Sequence, residues 1–256
     1  MLLAMQKGIL YGPVNSRRYG KSLGVNLMPA RDKLCPFNCV YCHYGVTRRC
    51  TLDMDLHVAE MPKLTNVVAA VEEAMLSPTH FDLVTFSGNG EPTMYPDFAP
   101  LVREIKRLRD ELRPEAKIAL LSNSAGAIWD DIQEVIPLID LPIMKLDAGT
   151  PETFKAINRP TRGIELDDIM FSLSLLKDIR IQTVLVDGNP SNSSPSDLRA
   201  WMGRIAQLRP VEVHLYSIDR PVPNQSISLV PPDRLQEIAA QTTRDTGVKV
   251  KAFFAR

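Results

Sequence analysis

The chain reads as an α/β protein built on a partial (β/α)6 TIM-like barrel, and three observations predict that class. Short apolar runs of buried-strand type alternate with helical stretches from about Gly24 onward. Six such units follow in series, and parallel neighbours need a crossover helix between them. Polar and thiol-bearing residues stand directly after the strands, where parallel α/β folds bind ligands.

The elements follow in order. A first strand over 22–27 leads straight into a loop of cysteines. A helical stretch over 64–76 gives way to an apolar strand over 81–86, which stops abruptly at Ser87-Gly88-Asn89-Gly90-Glu91-Pro92. A charged amphipathic helix over 97–112 precedes a strand over 117–121, and a helix over 128–136 precedes a strand over 142–146. Then come a helix over 167–177, a strand over 181–186, a helix over 196–208 and a strand over 211–216. An irregular stretch over 219–228, marked by Pro221 and Pro223, reads as a loop over the open end. A helix over 231–242 and a strand over 248–254 complete the chain. No Gly/Ser linker or break in composition divides the 256 residues. One domain is expected, with 1–22 as an N-terminal extension, 23–217 as the partial barrel and 218–256 as a C-terminal loop, helix and strand.

Hydrophobic residues make up 45% and charged residues 23%, the balance of a globular protein and neither a disordered nor a membrane one. The apolar opening Met1-Leu2-Leu3-Ala4-Met5 breaks at Gln6-Lys7, too soon for a signal peptide's core, so a cytoplasmic protein is expected. Four cysteines, three of them clustered, argue against a disulfide framework and for a reducing compartment. Thirty basic and thirty acidic side chains cancel, but unevenly: up to Thr51 the only acid is Asp32, against Lys7, Arg17, Arg18, Lys21, Arg31, Lys33, Arg48 and Arg49. Two readings stay open, an anionic partner near the cysteine loop or a solvated face paired with acids elsewhere.

Cys35, Cys39 and Cys42 fall within eight residues, Cys35-Pro36-Phe37-Asn38-Cys39-Val40-Tyr41-Cys42. Three thiolates can hold an iron–sulfur cubane while leaving one iron without a cysteine. After the second strand, Gly88-Asn89-Gly90 brings backbone close to a ligand and presents the carboxylate of Glu91, which suits an ammonium group. Ser122 and Asn123 follow the third strand, Asp187 and Asn189 the fifth, and Ser217 and Asp219 the sixth. Lys145 lies in an otherwise apolar strand, so it needs a counter-charge or a ligand carboxylate. Asp147 shares its face, and an internal ion pair is the alternative. His43, His57, His80 and His214 show no ligand spacing and are read as ordinary residues.

Cys35-x-x-x-Cys39-x-Tyr41-Cys42, followed by Ser87-Gly88-Asn89-Gly90-Glu91-Pro92-Thr93, resembles the two signature motifs of the radical S-adenosylmethionine (radical SAM) superfamily. The segments 12–18, 22–27, 145–149, 157–160 and 216–221 are similar to its wyosine-base-synthase-like subgroup. The resemblance implies a radical SAM core with a [4Fe–4S] cluster on Cys35, Cys39 and Cys42. It further implies S-adenosylmethionine bound by Glu91 and the backbone of Gly88, Asn89 and Gly90, with Tyr41 backbone at the adenine. Ser122 or Asn123 would reach the ribose, and Lys145 with Asp147 the methionine carboxylate and ribose. An electron donor such as flavodoxin or ferredoxin is the implied partner, with an unidentified small-molecule or RNA substrate. Neutral overall charge and the absence of an RNA-binding module weigh against RNA.

Wyosine synthases carry further cysteines for a second cluster, whereas here only Cys50 remains, so the pyruvate-condensing reaction is not expected. Cys50 is the candidate for a catalytic thiol, with a packed cysteine as the plainer reading. Two alternatives accompany the enzyme reading. One is an activating enzyme that places a radical on a partner protein. The other is a zinc or electron-transfer protein using all four cysteines, against which the glycine–glutamate turn argues.

Overall fold

The computed structural model describes residues 2–16 and 18–254, so Met1, Arg17, Ala255 and Arg256 lie outside the described residues. Among those described, the strands are β1 (Leu10–Ser16), β2 (Gly20–Val25), β3 (Leu34–Cys35), β4 (Arg49–Cys50), β5 (Leu83–Phe86), β6 (Lys117–Ser122), β7 (Leu141–Lys145), β8 (Arg180–Gly188), β9 (Glu212–Ser217), β10 (Ile227–Leu229) and β11 (Val250–Phe253). The α-helices are α1 (Leu64–Leu76), α2 (Phe98–Leu112), α3 (Asp130–Val135), α4 (Pro151–Ile157), α5 (Leu166–Leu175), α6 (Pro195–Leu208) and α7 (Pro232–Thr246).

The main sheet runs β1-β2-β5-β6-β7-β8-β9-β11, with β10 hydrogen-bonded antiparallel to β8. From β2 to β11 every pairing on that path is parallel. The six expected strands are therefore present in order, each within two residues of its predicted start. All eight strands of the path contribute side chains to one internal cavity of about 590 Å³, from Tyr11 on β1 to Phe253 on β11. A flat sheet could not place both ends of that path around one space, so the sheet is curled into an incompletely closed barrel.

The structure differs from the sequence reading at both ends. Residues before 22 include β1, which pairs antiparallel with β2 across a register shift between Tyr11 and Val14. The strand is bent and half exposed, with Gly12 and Pro13 inside it, and these breakers masked it in sequence. At the other end, β10 begins within the stretch read as a loop, while the expected strand over 248–254 is found as β11 and joins the barrel sheet beside β9. Two helices also depart from expectation. The predicted helix over 128–136 is only α3, flanked by 3-10 turns at Ala125–Ile128 and Ile136–Leu138, where Pro137 stops regular helix. Helix α4 escaped the periodicity because it has seven residues, although Thr150 accepts from Thr153 N as its cap and Pro151 opens it.

Apolar faces of α1, α2, α5, α6 and α7 pack on the outside of the strands and form one core with them. Trp201 on α6 is fully buried and its indole N–H donates to the Leu146 carbonyl at 3.1 Å, which ties the helix to the end of β7. Among the described residues no helix is long and apolar enough to cross a membrane.

Candidate active site

The cysteine loop leaves β3 at the carboxyl ends of the barrel strands and is held on two sides. On one side Leu34 N donates to Asn89 O at 3.2 Å, and Leu34 forms a parallel bridge with Gly90. A Cβ at Gly90 would fall inside the van der Waals radius of the Leu34 carbonyl oxygen, so close backbone approach is the reason for that glycine. On the other side Val40 N donates to Ile157 O and Asn38 N to Asn158 O, which docks the loop on the end of α4. Within the loop, Cys42 N donates to Cys39 O and Gly45 N to Cys42 O.

Cys35, Cys39 and Cys42 face one pocket of about 170 Å³ together with Glu91, Asn123, Lys145 and Gln182. Side-chain amides point at two of the sulfurs: Asn123 Nδ2 lies 3.4 Å from Cys35 Sγ and Asn158 Nδ2 lies 3.6 Å from Cys39 Sγ. Burial, reinforced by Cys42 and Asp147, pushes the Cys39 thiol up to about 11, and burial raises Cys35 further. Thiols so placed become thiolates when a metal supplies the missing positive charge. No three His, Cys, Asp or Glu side chains among the described residues converge on a point suited to a single ion.

Glu91 is buried and already engaged. Oε1 accepts from Thr93 N at 3.1 Å, Thr93 Oγ1 at 2.7 Å and Ser122 Oγ at 2.8 Å, and Oε2 accepts from Asn123 N at 2.5 Å. Burial raises its carboxyl, and these four donors work against that shift. Glu91 thus clamps the ends of β5 and β6 together, with Oε2 keeping room for one further donor. Asn89 is a second clamp: its side chain bonds Gln6 N, Gln6 O and Pro29 O, so only its backbone serves the turn. Gly88 has φ 133° and lies against Asn26, where any side chain would collide.

Lys145 and Asp147 form the internal pair that the sequence left as an alternative, at 2.8 Å. Asp147 also accepts from Tyr41 Oη, from Asn158 Nδ2 at 2.7 Å and from Val184 N at 2.8 Å, so its carboxylate is fully committed. The Lys145 ammonium approaches Asp147 off the line of a hydrogen bond, which leaves its buried nitrogen without a hydrogen-bond acceptor. Rings of Tyr41 and Tyr216 flank it, 4.8 and 5.5 Å from their centroids. Burial disfavours this charge, but Asp147 and Tyr216 outweigh it and raise Lys145.

Cys50 stands beside Cys35 in the β3–β4 register, yet its Sγ donates to Pro36 O at 3.3 Å and it does not line the thiol pocket. Burial raises its thiol as well. Asp187, Asn189 and Ser217, also read at the rim, line neither the thiol pocket nor the barrel cavity. Ser217 is buried between Leu185 O and Val230 N. The residues missed in sequence are Asn158, Gln182 and Tyr216. Asn158 and Tyr216 stand in segments that carried the family likeness, and nothing local marked Gln182. The 170 Å³ pocket opens beside the 590 Å³ barrel cavity, because Leu121 and Gln182 line both. A larger cleft of about 910 Å³ lies at the opposite end of the strands, around Asp140, Lys177 and Arg180, and carries no thiol.

The profile of the radical SAM superfamily matches residues 33–191. A UPF0026 protein of Synechocystis sp. is 32% identical over 221 residues, covering 84% of this chain and 77% of the relative. A Brachyspira hyodysenteriae protein named GTPase Obg is 27% identical over 243 residues, and the chain spans only 32% of its length. Among solved structures, TYW1 with a lysine–pyruvate adduct bound superposes with a TM-score of 0.59 at 14% identity, covering 89% of this chain and 74% of that one.

Proposed function

This chain belongs to the radical SAM superfamily, and from that premise we propose that it cleaves S-adenosylmethionine at a single [4Fe–4S] cluster held by Cys35, Cys39 and Cys42, to act on a small molecule in the barrel cavity. The observation that carries the reading is the union of three thiols, the Glu91 turn and the unspent ammonium of Lys145 around one pocket at the head of that cavity. When bound, the reduced cluster supplies one electron that breaks a carbon–sulfur bond of S-adenosylmethionine, giving methionine and a 5′-deoxyadenosyl radical that takes a hydrogen atom from the substrate.

The chain's own groups divide the remaining work. Lys145, steadied by Asp147 and two tyrosine rings, offers its donors to the methionine carboxylate. Backbone at Gly88–Gly90 and the spare site on Glu91 Oε2 receive the methionine ammonium. The ribose role first assigned to Asp147 passes to Asn123 or Gln182, because Asp147 has no acceptor left. The strands that curl around the cavity limit the access of water to the radical. A chamber of about 590 Å³ suits a small molecule, which favours this reading over radical transfer to a partner protein.

The test is anaerobic reconstitution with iron and sulfide, reduction with dithionite and measurement of 5′-deoxyadenosine. Wild type should produce it, and Cys35→Ala, Cys39→Ala or Cys42→Ala should abolish both it and the cluster's colour. Colourless protein holding one zinc would refute the proposal.

A further inference from the structure

Resting on that reading, we propose that the substrate is a small organic anion whose carboxylate or phosphate is held by Arg18, on the turn between β1 and β2 in the wall of the barrel cavity. Arg18 follows β1 and turns into the cavity at the place where the two edges of the open sheet come together. Its guanidinium lies 5.9 Å from the ring centroid of Tyr216 on β9 and 5.9 Å from that of Phe253 on β11. Ser16 Oγ accepts from Arg18 N at 3.2 Å and from Tyr19 N at 3.3 Å, which fixes the turn that carries it.

Charge balance distinguishes Arg18 from its neighbours. Glu212 takes up Lys251 at 2.8 Å, His214 at 2.9 Å and Arg180 at 3.6 Å. Among the described residues no carboxylate lies within ion-pair distance of Arg18. Its one polar side-chain partner among the described residues is His214 Nδ1, 3.3 Å from Nη1. His214 Nε2 faces Glu212 Oε1, so the ring donates there and presents its Nδ1 lone pair to Arg18. A neutral imidazole orients the guanidinium without cancelling its charge. Among the described residues four of its five N–H donors have no partner and remain for a ligand, and a planar fork of donors matches a carboxylate or phosphate.

The cavity that Arg18 lines, and that adjoins the thiol pocket, has apolar surface from Leu83, Ala119, Leu121 and Ile143, interrupted by the hydroxyls of Ser22, Thr85 and Ser87. An anion at Arg18 would therefore extend an aliphatic or aromatic body toward the end where the radical forms. One arginine of the basic N-terminal region thus acquires a use inside the barrel, and the ligand is a small acid.

The probes are pentanoate, its neutral isostere pentanamide, and butyl phosphate, titrated by calorimetry into reconstituted protein with S-adenosylmethionine bound. At least one anion should bind about tenfold more tightly than pentanamide, and which anion leads identifies the headgroup. Arg18→Gln should erase the preference, and Arg18→Lys should retain part of it. If Arg18→Gln has lost its melting transition, the Lys variant decides, because an unchanged preference there contradicts bidentate recognition by the guanidinium. Equal affinity for acid and amide, a preference that survives Arg18→Gln, or no binding of any probe at millimolar concentration would overturn the proposal. Wild-type cleavage of S-adenosylmethionine is measured in the same preparation. Cleavage without an Arg18-dependent anion preference refutes this assignment alone, whereas absence of cleavage refutes the reading it rests on.

Discussion

Asp147 shows how one side chain can hold several groups of a site in place at once. It neutralises Lys145, orients Tyr41 and Asn158, and accepts from the backbone of β8. Asp147→Ala would leave a buried ammonium unpaired, so unfolding in denaturant should show a loss of about 3–5 kcal/mol. Gly90 makes the complementary point. Gly90→Ala must push apart two backbones, with an overpacking cost of about 1–3 kcal/mol, and should lower the iron retained per chain after reconstitution. Cys50→Ala should keep the wild-type iron content, since its thiol is turned to the Pro36 carbonyl and away from the thiol pocket. The identities of Cys35, Cys39, Cys42, Glu91 and Lys145 were legible in sequence because their residue types are costly or reactive at strand ends. Their division into ligand-facing and structural groups was not. That division depends on which lone pairs are already taken, and the acceptors of Glu91 and Asp147 are filled by residues up to 106 positions away.

The hairpin β1–β2 and strands β9 and β11 close the barrel where backbone pairing stops, and they do so with charge. Burial works against the ionised form of Glu212, but Lys251 and His214 outweigh it and hold the carboxyl down at about 2, against an ordinary 4.5. Such a group stabilises the fold fully above pH 4.5 and ceases to do so as pH falls through about 2. His214 is lowered from 6.5, chiefly by burial, so its contribution is complete above pH 6.5 and shrinks as pH falls toward its folded value. Acid unfolding should therefore begin below 6.5 and steepen below 4.5. Glu212→Gln should be about 1–3 kcal/mol less stable at neutral pH, moderated by partial exposure of its partners. The gap should vanish toward pH 2, as read by equilibrium unfolding at a series of pH values. Strand positions were legible because buried parallel strands are short continuous apolar runs. Strand β1 was not, because Gly12 and Pro13 interrupt it and solvent reaches one face.

One core joins residues from Leu23 to Val248, and the cysteine loop is bound to β5 through Gly90 and to α4 through Ile157 and Asn158. A single cooperative melting transition is expected, raised when the cluster is loaded, because the metal binds only the folded loop. The barrel class was legible as a count of strand–helix units. Its curvature was not, since the same pattern serves an open sheet, and only side chains from every strand meeting around one cavity decide it. That three cysteines leave one iron for S-adenosylmethionine to chelate is the proposal on which the others depend. It is tested most directly by electron paramagnetic resonance of the reduced protein, with and without S-adenosylmethionine isotopically labelled in its methionine carboxylate and amino groups. The cluster signal is expected to change on addition and to show hyperfine coupling to both labels. A signal indifferent to S-adenosylmethionine, or one with no coupling to either label, would contradict it.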